Sequence, residues 1–375
     1  MKNPFTIKVI PPNGPFCNRE KEQKDLLSYA ENKANIVLYS PRRFGKTSLV
    51  KRVQYQASKK GMFTLYIDLF GLSSTDDIAA RIAKSIYELL YEHKSIFQKT
   101  VKMFQSFRPV MRPTTDGVSM SVEVIPRDIS GIDLLEKTME DLGQFIKTSK
   151  SGVHIVLDEF QEITELKDTT IEGVMRKHIQ EHEASYFFVG SRRRILLDMF
   201  ITRKRPFFQS AFLYKLDTLP EDELKQFLML HFENARKACS EKNASELTKI
   251  IGNHPYYAQK LAYTICQMVQ EEEINKKNIH DAFNIMIDSE APVFESITQG
   301  LTPQQIALLK AISKEPSTSV LSINYMKKHQ LKSVGGIQSA LKKLTQMDLI
   351  EKMGNKTWKV VDPVFGRWLS RYSMF

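Results

Sequence analysis

Ser40-Pro41-Arg42-Arg43-Phe44-Gly45-Lys46-Thr47 is the stretch that decides the fold. It keeps the spacing G-x-x-x-x-G-K-[ST], with Ser40 standing at the first glycine. That spacing serves a definite chemistry: a tight loop turns successive backbone N–H groups onto phosphate oxygens, and the helix that follows adds the positive end of its dipole. Lys46 is expected to reach the terminal phosphates, the Thr47 hydroxyl to ligate Mg²⁺, and Gly45 to let the backbone come close. Ser40, Arg42, Arg43, Phe44 and Ser48 complete the loop residues expected to line the nucleotide. A Cβ at position 40 is expected to resist a positive φ, and serine to be small enough for the loop to survive. The flanks fit the motif. The apolar run Asn35–Tyr39 reads as a buried strand, and Leu49, Val50 and Val53 share one face of a following helix.

Moving outward, Phe63–Leu69 is a second apolar run, and the cluster Ser73–Asp77 opens an amphipathic helix over Ile78–Leu90. Val110–Pro113 and Val118–Val124 flank Asp116-Gly117, which predicts a β-hairpin inserted near 107–124. Ile132–Ile146 and Ile171–His182 read as helices, Gly152–Leu157 and Ser185–Val189 as strands. Strands alternating with helices predict an α/β fold built on a parallel sheet. From Pro220 onward the strands stop, and Pro220–Ala235, Ala244–Ile251, Pro255–Gln270 and Ile279–Ile287 read as helices. Thr302–Ile312, Ser322–His329 and Val334–Leu344, followed by a hairpin over Leu349–Val361, read as a winged helix-turn-helix.

A phosphate loop needs a metal-binding carboxylate from a neighbouring strand. The run ending Leu157-Asp158-Glu159 supplies one. Asp158 is expected to hold Mg²⁺ through water, and Glu159 to orient or deprotonate an attacking water. Ser191, just past the strand Ser185–Val189, is placed either to touch the γ-phosphate or the water, or to cap the helix beginning at Arg192. The basic cluster Arg192-Arg193-Arg194 with Arg203-Lys204-Arg205 reads as an arginine finger, a solvated face or a contact for an acidic surface. A guanine-reading N-K-x-D is absent, since Asn278 follows Asn275-Lys276-Lys277, so adenine is favoured over guanine.

The chain has 375 residues with a formal net charge of +11, 42% hydrophobic and 26% charged. These values exclude general disorder. No apolar run is long enough for a spanning helix, and the N-terminus lacks the apolar core of a signal peptide. Three dispersed cysteines, Cys17, Cys239 and Cys266, argue against a disulfide framework or a zinc site. A cytoplasmic, reduced protein without membrane contact is expected. The positive charge is localised: Ser191–Arg205 has six basic residues and one acid, and residues 301–375 have twelve basic residues and four acids.

Tyr39–Leu49, Leu157–Gln161, Val189–Ser191 and Gly252–Tyr257, with Asn18-Arg19-Glu20 and the closing Asp362–Phe365 and Trp368-Leu369, resemble the archaeal-type ATPase domain of the STAND and AAA-like P-loop ATPases. The resemblance implies a P-loop NTPase core over residues 1–214, a helical lid over 215–299 and a winged helix over 300–375. It implies ATP or ADP as ligand, Arg19 beside the adenine end, and Pro255 starting a lid helix over the base or ribose. The family has glycine where this chain has Ser40.

The expectation is therefore an ATP-binding, Mg²⁺-dependent ATPase acting as a nucleotide-controlled switch, with Lys46, Asp158, Glu159 and Ser191 as its catalytic set. The alternative is a DNA-binding winged-helix protein with a regulatory or degenerate nucleotide site. Gln338 and Ser339 would then face base edges, and Lys342, Lys343, Lys352 and Lys356 would meet phosphates. A protein-interaction arm and a nucleotide-dependent assembly are the remaining expectations.

Overall fold

A computed structural model of the chain describes residues 3–17, 19–92, 106–113, 120–126, 128–270 and 272–371. Asn18 and the Asp116-Gly117 turn lie outside these. In chain order the first half contains α1 (Glu20–Glu31), β1 (Ile36–Tyr39), α2 (Lys46–Lys59), β2 (Phe63–Asp68) and α3 (Thr75–Glu92). A hairpin follows, β3 (Phe107–Pro113) with β4 (Met120–Pro126), at the place the sequence predicts. Then come α4 (Gly131–Thr148), β5 (Val153–Asp158), α5 (Thr170–Glu181), β6 (Ser185–Gly190), α6 (Arg193–Ile201) and β7 (Phe212–Lys215).

Five strands form one parallel sheet in the order β2-β5-β6-β1-β7. Every residue of β5 and β6 is buried, as central strands covered on both faces must be. Leu49, Val50 and Val53 pack with Leu26 against Ile36, Leu38 and Phe187 on one face. Ile78, Ile82, Ile86 and Leu142 pack against Ile155 and Phe188 on the other. The sheet order puts β1 beside β6 and β6 beside β5, so the residues following their C-terminal ends, Ser40, Ser191 and Glu159, share the edge where open α/β sheets bind ligands. The sequence reading missed β7. It is an edge strand with Phe212 and Leu213 exposed, so it lacks the apolar signature of a buried one.

The second half contains α7 (Glu221–Asn234), α8 (Glu241–Ile251), α9 (Pro255–Met268) and α10 (Lys276–Gln299). It ends in α11 (Pro303–Lys314), α12 (Ile323–Lys328), α13 (Val334–Gln346), the wing β8 (Ile350–Lys352) with β9 (Trp358–Val360), and α14 (Pro363–Arg371). Helix α10 runs well past Ile287, through Pro292, and brings Phe294 within 5.1 Å of Phe365 and 5.7 Å of Trp368 (ring centroids). One continuous apolar core extends from Leu219 to Leu369, so the helical unit and the winged helix are packed as one body. Among the described residues no helix is long and apolar enough to cross a membrane.

Candidate functional site

The phosphate loop turns on two residues with positive φ, Arg43 (65°) and Gly45 (85°). Ser40 is not one of them, so its Cβ meets no backbone conflict, and the strain expected at that position does not arise. A Cβ built on Gly45 would meet nothing within 4 Å, so glycine there answers to backbone conformation and to the room a phosphate needs. Lys46 opens α2 and is buried, its Nζ donating to Ser40 O, Ser40 Oγ and Pro41 O at 3.1 Å each. Burial pushes its ammonium down to about 8, against the pull of Glu159, Asp158 and Asp348, while the positive Arg193 adds to the fall.

Thr47 Oγ1 donates to Asp158 Oδ2 at 3.0 Å. The Tyr66 hydroxyl, from the adjacent strand β2, donates to the same oxygen. Burial raises the Asp158 carboxyl, and these two hydrogen bonds act against that rise. Glu159 sits at φ 51° just past β5, where its Oε2 accepts from Ser191 N at 3.2 Å, Ser191 Oγ at 2.9 Å and Gln161 Nε2 at 2.6 Å. Ser191 therefore spends its hydroxyl on Glu159. Helix α6 starts two residues later, with Arg192 at its cap and no side-chain cap bond. Magnesium takes hard oxygen donors and keeps several waters, so one hydroxyl and one carboxylate suffice from the protein. Thr47 Oγ1 and Asp158 Oδ2 fit that ion. Among the described residues no group of three or more His, Cys, Asp or Glu could cage a metal by itself.

These groups open onto a cavity of about 640 Å³, whose wall includes Lys46, Thr47, Glu159, Ser191, Arg19 and Pro255. Its wall also includes the apolar Phe16, Leu219 and Phe227. The segment Thr6–Ile10, which the sequence reading left unassigned, closes one side. It is pinned where Ile10 N donates to Ser48 Oγ at 3.0 Å and Thr6 N to Gln259 Oε1 at 3.1 Å. Arg19 is buried in the wall, but its guanidinium is used by Glu22 and by Asp217 O.

Pro255 is the first residue of α9, and His254 before it sets its ring 4.7 Å from Phe44. The next two residues tie the loop to the rest of the molecule. Tyr256 donates to Glu290 Oε1 at 2.9 Å, Lys260 to the same oxygen at 2.6 Å, and Arg43 of the phosphate loop to Oε2 at 3.1 Å. The Arg43 guanidinium also lies 4.3 Å from the centre of the Tyr256 ring. Tyr257 donates at 2.6 Å to Asp362, whose other oxygen accepts from Val364 N and Phe365 N at the start of α14. The segments Gly252–Tyr257 and Asp362–Phe365 thus touch.

In the basic cluster after β6, Arg203 and Lys204 are exposed, and the other four arginines pair within the chain. Arg192 pairs with Glu162 and Glu165. Arg193 is buried against Asp348 and Glu351 of the winged helix, with Arg194 3.5 Å from Asp348, and Arg205 pairs with Glu172. Tyr66, Glu290, Asp348 and Glu351 are site-adjacent residues that the sequence did not single out, and Gln161 entered only as the end of the Leu157–Gln161 run. Tyr66 alone left a trace, as a polar-ended side chain between the apolar Leu65 and Ile67 of β2.

A parallel sheet with β1 feeding a phosphate loop, and a carboxylate pair at the end of β5, one strand removed from β1, define a P-loop NTPase core; a winged helix follows it. The chain belongs to the family described as the ATPase domain predominantly from Archaea, whose model matches residues 16–261. A probable winged helix domain matches residues 292–371. The chain is similar to an uncharacterized ATP-binding protein of Methanocaldococcus jannaschii, 21% identical over an alignment of 291 positions, with 73% of this chain and 74% of that protein covered. Its fold is similar to a Walker-type ATPase of Pyrococcus abyssi, with 16% identity, a TM-score of 0.69, and 98% of this chain and 99% of that one covered. It is also similar to the ORC2 protein of Aeropyrum pernix solved as ADPNP–ADP complexes, with 14% identity, a TM-score of 0.60, and coverage of 100% and 98%.

Proposed function

We propose that the protein binds ATP with Mg²⁺ in this cavity and hydrolyses it, and that the nucleotide governs how the lid and winged helix sit on the core. The observation that carries the reading is the convergence of Lys46, Thr47 and Glu159 on one cavity wall, with Asp158 directly behind it, accepting from Thr47. Lys46 would exchange its loop oxygens for phosphate oxygens. Thr47 and Asp158 would hold Mg²⁺, which would supply neutralisation of the phosphate charge. Glu159 would orient the attacking water and take its proton, with Ser191 and Gln161 fixing the carboxylate. The adenine would lie along that apolar wall, beside Arg19 and under Pro255. The ATP-binding relative supports the ligand. In this reading the core extends to about residue 214, the lid to 299 and the winged helix to the end of the chain.

The test is nucleotide binding by the wild type and by Lys46→Ala. The proposal requires that the variant lose affinity for ATP and ADP; normal ATP binding by the variant would refute it.

A second reading, DNA contact by the winged helix, is favoured by one observation. The outer face of α13 carries exposed Gln338, Ser339, Lys342 and Lys343, beside exposed Lys352 and Lys356 in the wing. Phosphate contacts of this kind lose affinity steeply with salt. Absence of duplex binding at low salt would remove this reading.

A further inference from the structure

Residues 3–6 are built into the helical unit α7–α10, the lid of the reading above, although the core follows them directly in sequence. Phe5 is 2% exposed in the apolar core of that unit, its ring centroid 4.9 Å from that of Phe232 on α7. Asn3 Nδ2 donates to Tyr263 O of α9 at 3.1 Å, and Asn3 Oδ1 accepts from Phe5 N at 3.1 Å. Thr6 N donates to Gln259 Oε1, also on α9. Four residues later the chain is on the core: Ile10 N donates at 3.0 Å to Ser48 Oγ on α2, the helix that the phosphate loop opens. The turn Pro11–Gly14 comes next, closed by Gly14 N on Pro11 O at 2.8 Å and held to α2 by Arg52 Nη1 on Gly14 O at 3.3 Å.

Between the two anchors Ile7, Lys8 and Val9 pass along the side of the nucleotide cavity and line it. Lys8 N donates within the segment, to Thr6 Oγ1 at 3.1 Å. Ile7 and Val9 are 57% and 53% exposed, so a purine or ribose in the cavity has apolar surface of this segment to cover. The anchors are unequal. The lid end has a buried aromatic ring and two hydrogen bonds to α9, whereas one bond to a serine hydroxyl latches Ile10 to α2. The four residues from Thr6 N to Ile10 N span at most about 14 Å when extended. A wider separation of the helical unit from α2 has to detach one end. The weaker end is the latch on Ser48, which leaves the turn Pro11–Gly14 as the hinge.

We infer that residues 3–10 are a gate carried by the helical unit, and that breaking the Ile10–Ser48 latch is the step through which nucleotide enters and leaves the cavity. This rests on the ATP-binding reading above and adds to it the route of exchange and the contact that sets its rate. The latch joins two groups of the chain itself and does not depend on the number of phosphates, so a diphosphate and a triphosphate pass it alike. A gate also differs from a wall that merely touches the ligand. Weakening a gate raises entry and exit by the same factor and leaves the dissociation constant unchanged, whereas losing a ligand contact raises exit alone.

The experiment uses the full chain with Mg²⁺ and measures, by rapid filtration, association and dissociation of radiolabelled ADP and of a radiolabelled non-hydrolysable ATP analogue. Ile10→Pro removes the donor N–H of the latch and leaves Ser48 in place. It should raise both rates about fivefold for both nucleotides, the worth of one neutral hydrogen bond, with the dissociation constants unchanged. Asn3→Ala takes both Asn3 bonds from the lid end without opening a cavity in either body, and should also raise the two rates together. Three results overturn the inference alone: dissociation accelerated without association, different factors for the two nucleotides, or unchanged rates in both variants. A wild type that binds neither nucleotide overturns the ATP reading and the inference with it.

Discussion

Gly190 is the last residue of β6, and a Cβ built there would stand 2.0 Å from Gln161 Oε1, with Leu196 Cδ2 3.2 Å away. Non-bonded heavy atoms rest about 3.5 Å apart, so in Gly190→Ala the amide of Gln161 has to retreat by roughly 1.5 Å. It has little room, because Gln161 is fully buried. The group that moves is the one whose Nε2 holds Glu159 Oε2 at 2.6 Å, so the displacement passes to the proposed general base. A catalytic group misplaced by about 1 Å loses on the order of 100-fold in rate, and overpacking a core costs about 1–3 kcal/mol. Gly190→Ala should therefore fold with reduced stability, bind ATP as the wild type does, and hydrolyse it roughly 10- to 100-fold more slowly. Phosphate release under saturating ATP, with nucleotide affinity measured alongside, reads both parts. A folded variant with wild-type turnover would refute the role given to Gln161 and to the Glu159 geometry.

Three further predictions follow from buried polar groups. His154, His182 and His254 have their ring nitrogens pushed down, chiefly by burial, to about 3, about 4 and about 3. Their folded values lie below the unfolded 6.5, so the unfolded chain binds more protons between pH 6.5 and 4, and stability is lost as pH falls through that window. Each contributes up to about 1.4 kcal/mol per pH unit, and His154→Leu, at a site where neither ring nitrogen has a partner, should flatten the urea-midpoint profile between pH 6.5 and 5 by about 2 kcal/mol. An unchanged slope would contradict this. Tyr66→Phe removes one of two side-chain donors to Asp158 Oδ2 and should raise the Mg²⁺ concentration needed for nucleotide binding, by an amount worth about 1 kcal/mol. An unaltered Mg²⁺ titration would count against Tyr66 as a positioning residue. Glu290→Gln leaves Arg43 and Lys260 without their shared carboxylate and should destabilise the fold by about 3 kcal/mol in chemical denaturation, with weaker nucleotide binding because Arg43 is released. Unchanged denaturation would show that this buried network is not holding the lid to the loop.

How far the sequence could be read depended on whether a feature was local. The phosphate loop, the Asp158-Glu159 pair and the buried strands β1, β5 and β6 each announce themselves in a short window, because a motif or an apolar run is enough. Strand β7 escaped because an edge strand has outward faces, and α10 was cut short because Pro292 lies inside it, although Ala291, Phe294 and Ile297 continue its apolar face. Ser40 was misjudged for a related reason: the motif fixes the spacing of the loop but not which residue carries positive φ, and that falls on Arg43 and Gly45. The arginines after Ser191 were visible as charge, but the partners of Arg193 lie 155 and 158 residues further on. Tyr66, Gln161 and Glu290 are ordinary polar residues in ordinary elements: strand pairing brings Tyr66 to Asp158, the turn after β5 brings Gln161 to Glu159, and the packing of α10 brings Glu290 to Arg43.

The account stands most directly on Glu159. Single-turnover hydrolysis of ATP with Mg²⁺ by the wild type and by Glu159→Gln, with binding measured on the same samples, separates holding the nucleotide from cleaving it. The account predicts that the variant binds ATP as tightly as the wild type and cleaves it far more slowly. Equal cleavage rates, or a wild type that binds ATP without cleaving it, would contradict the account.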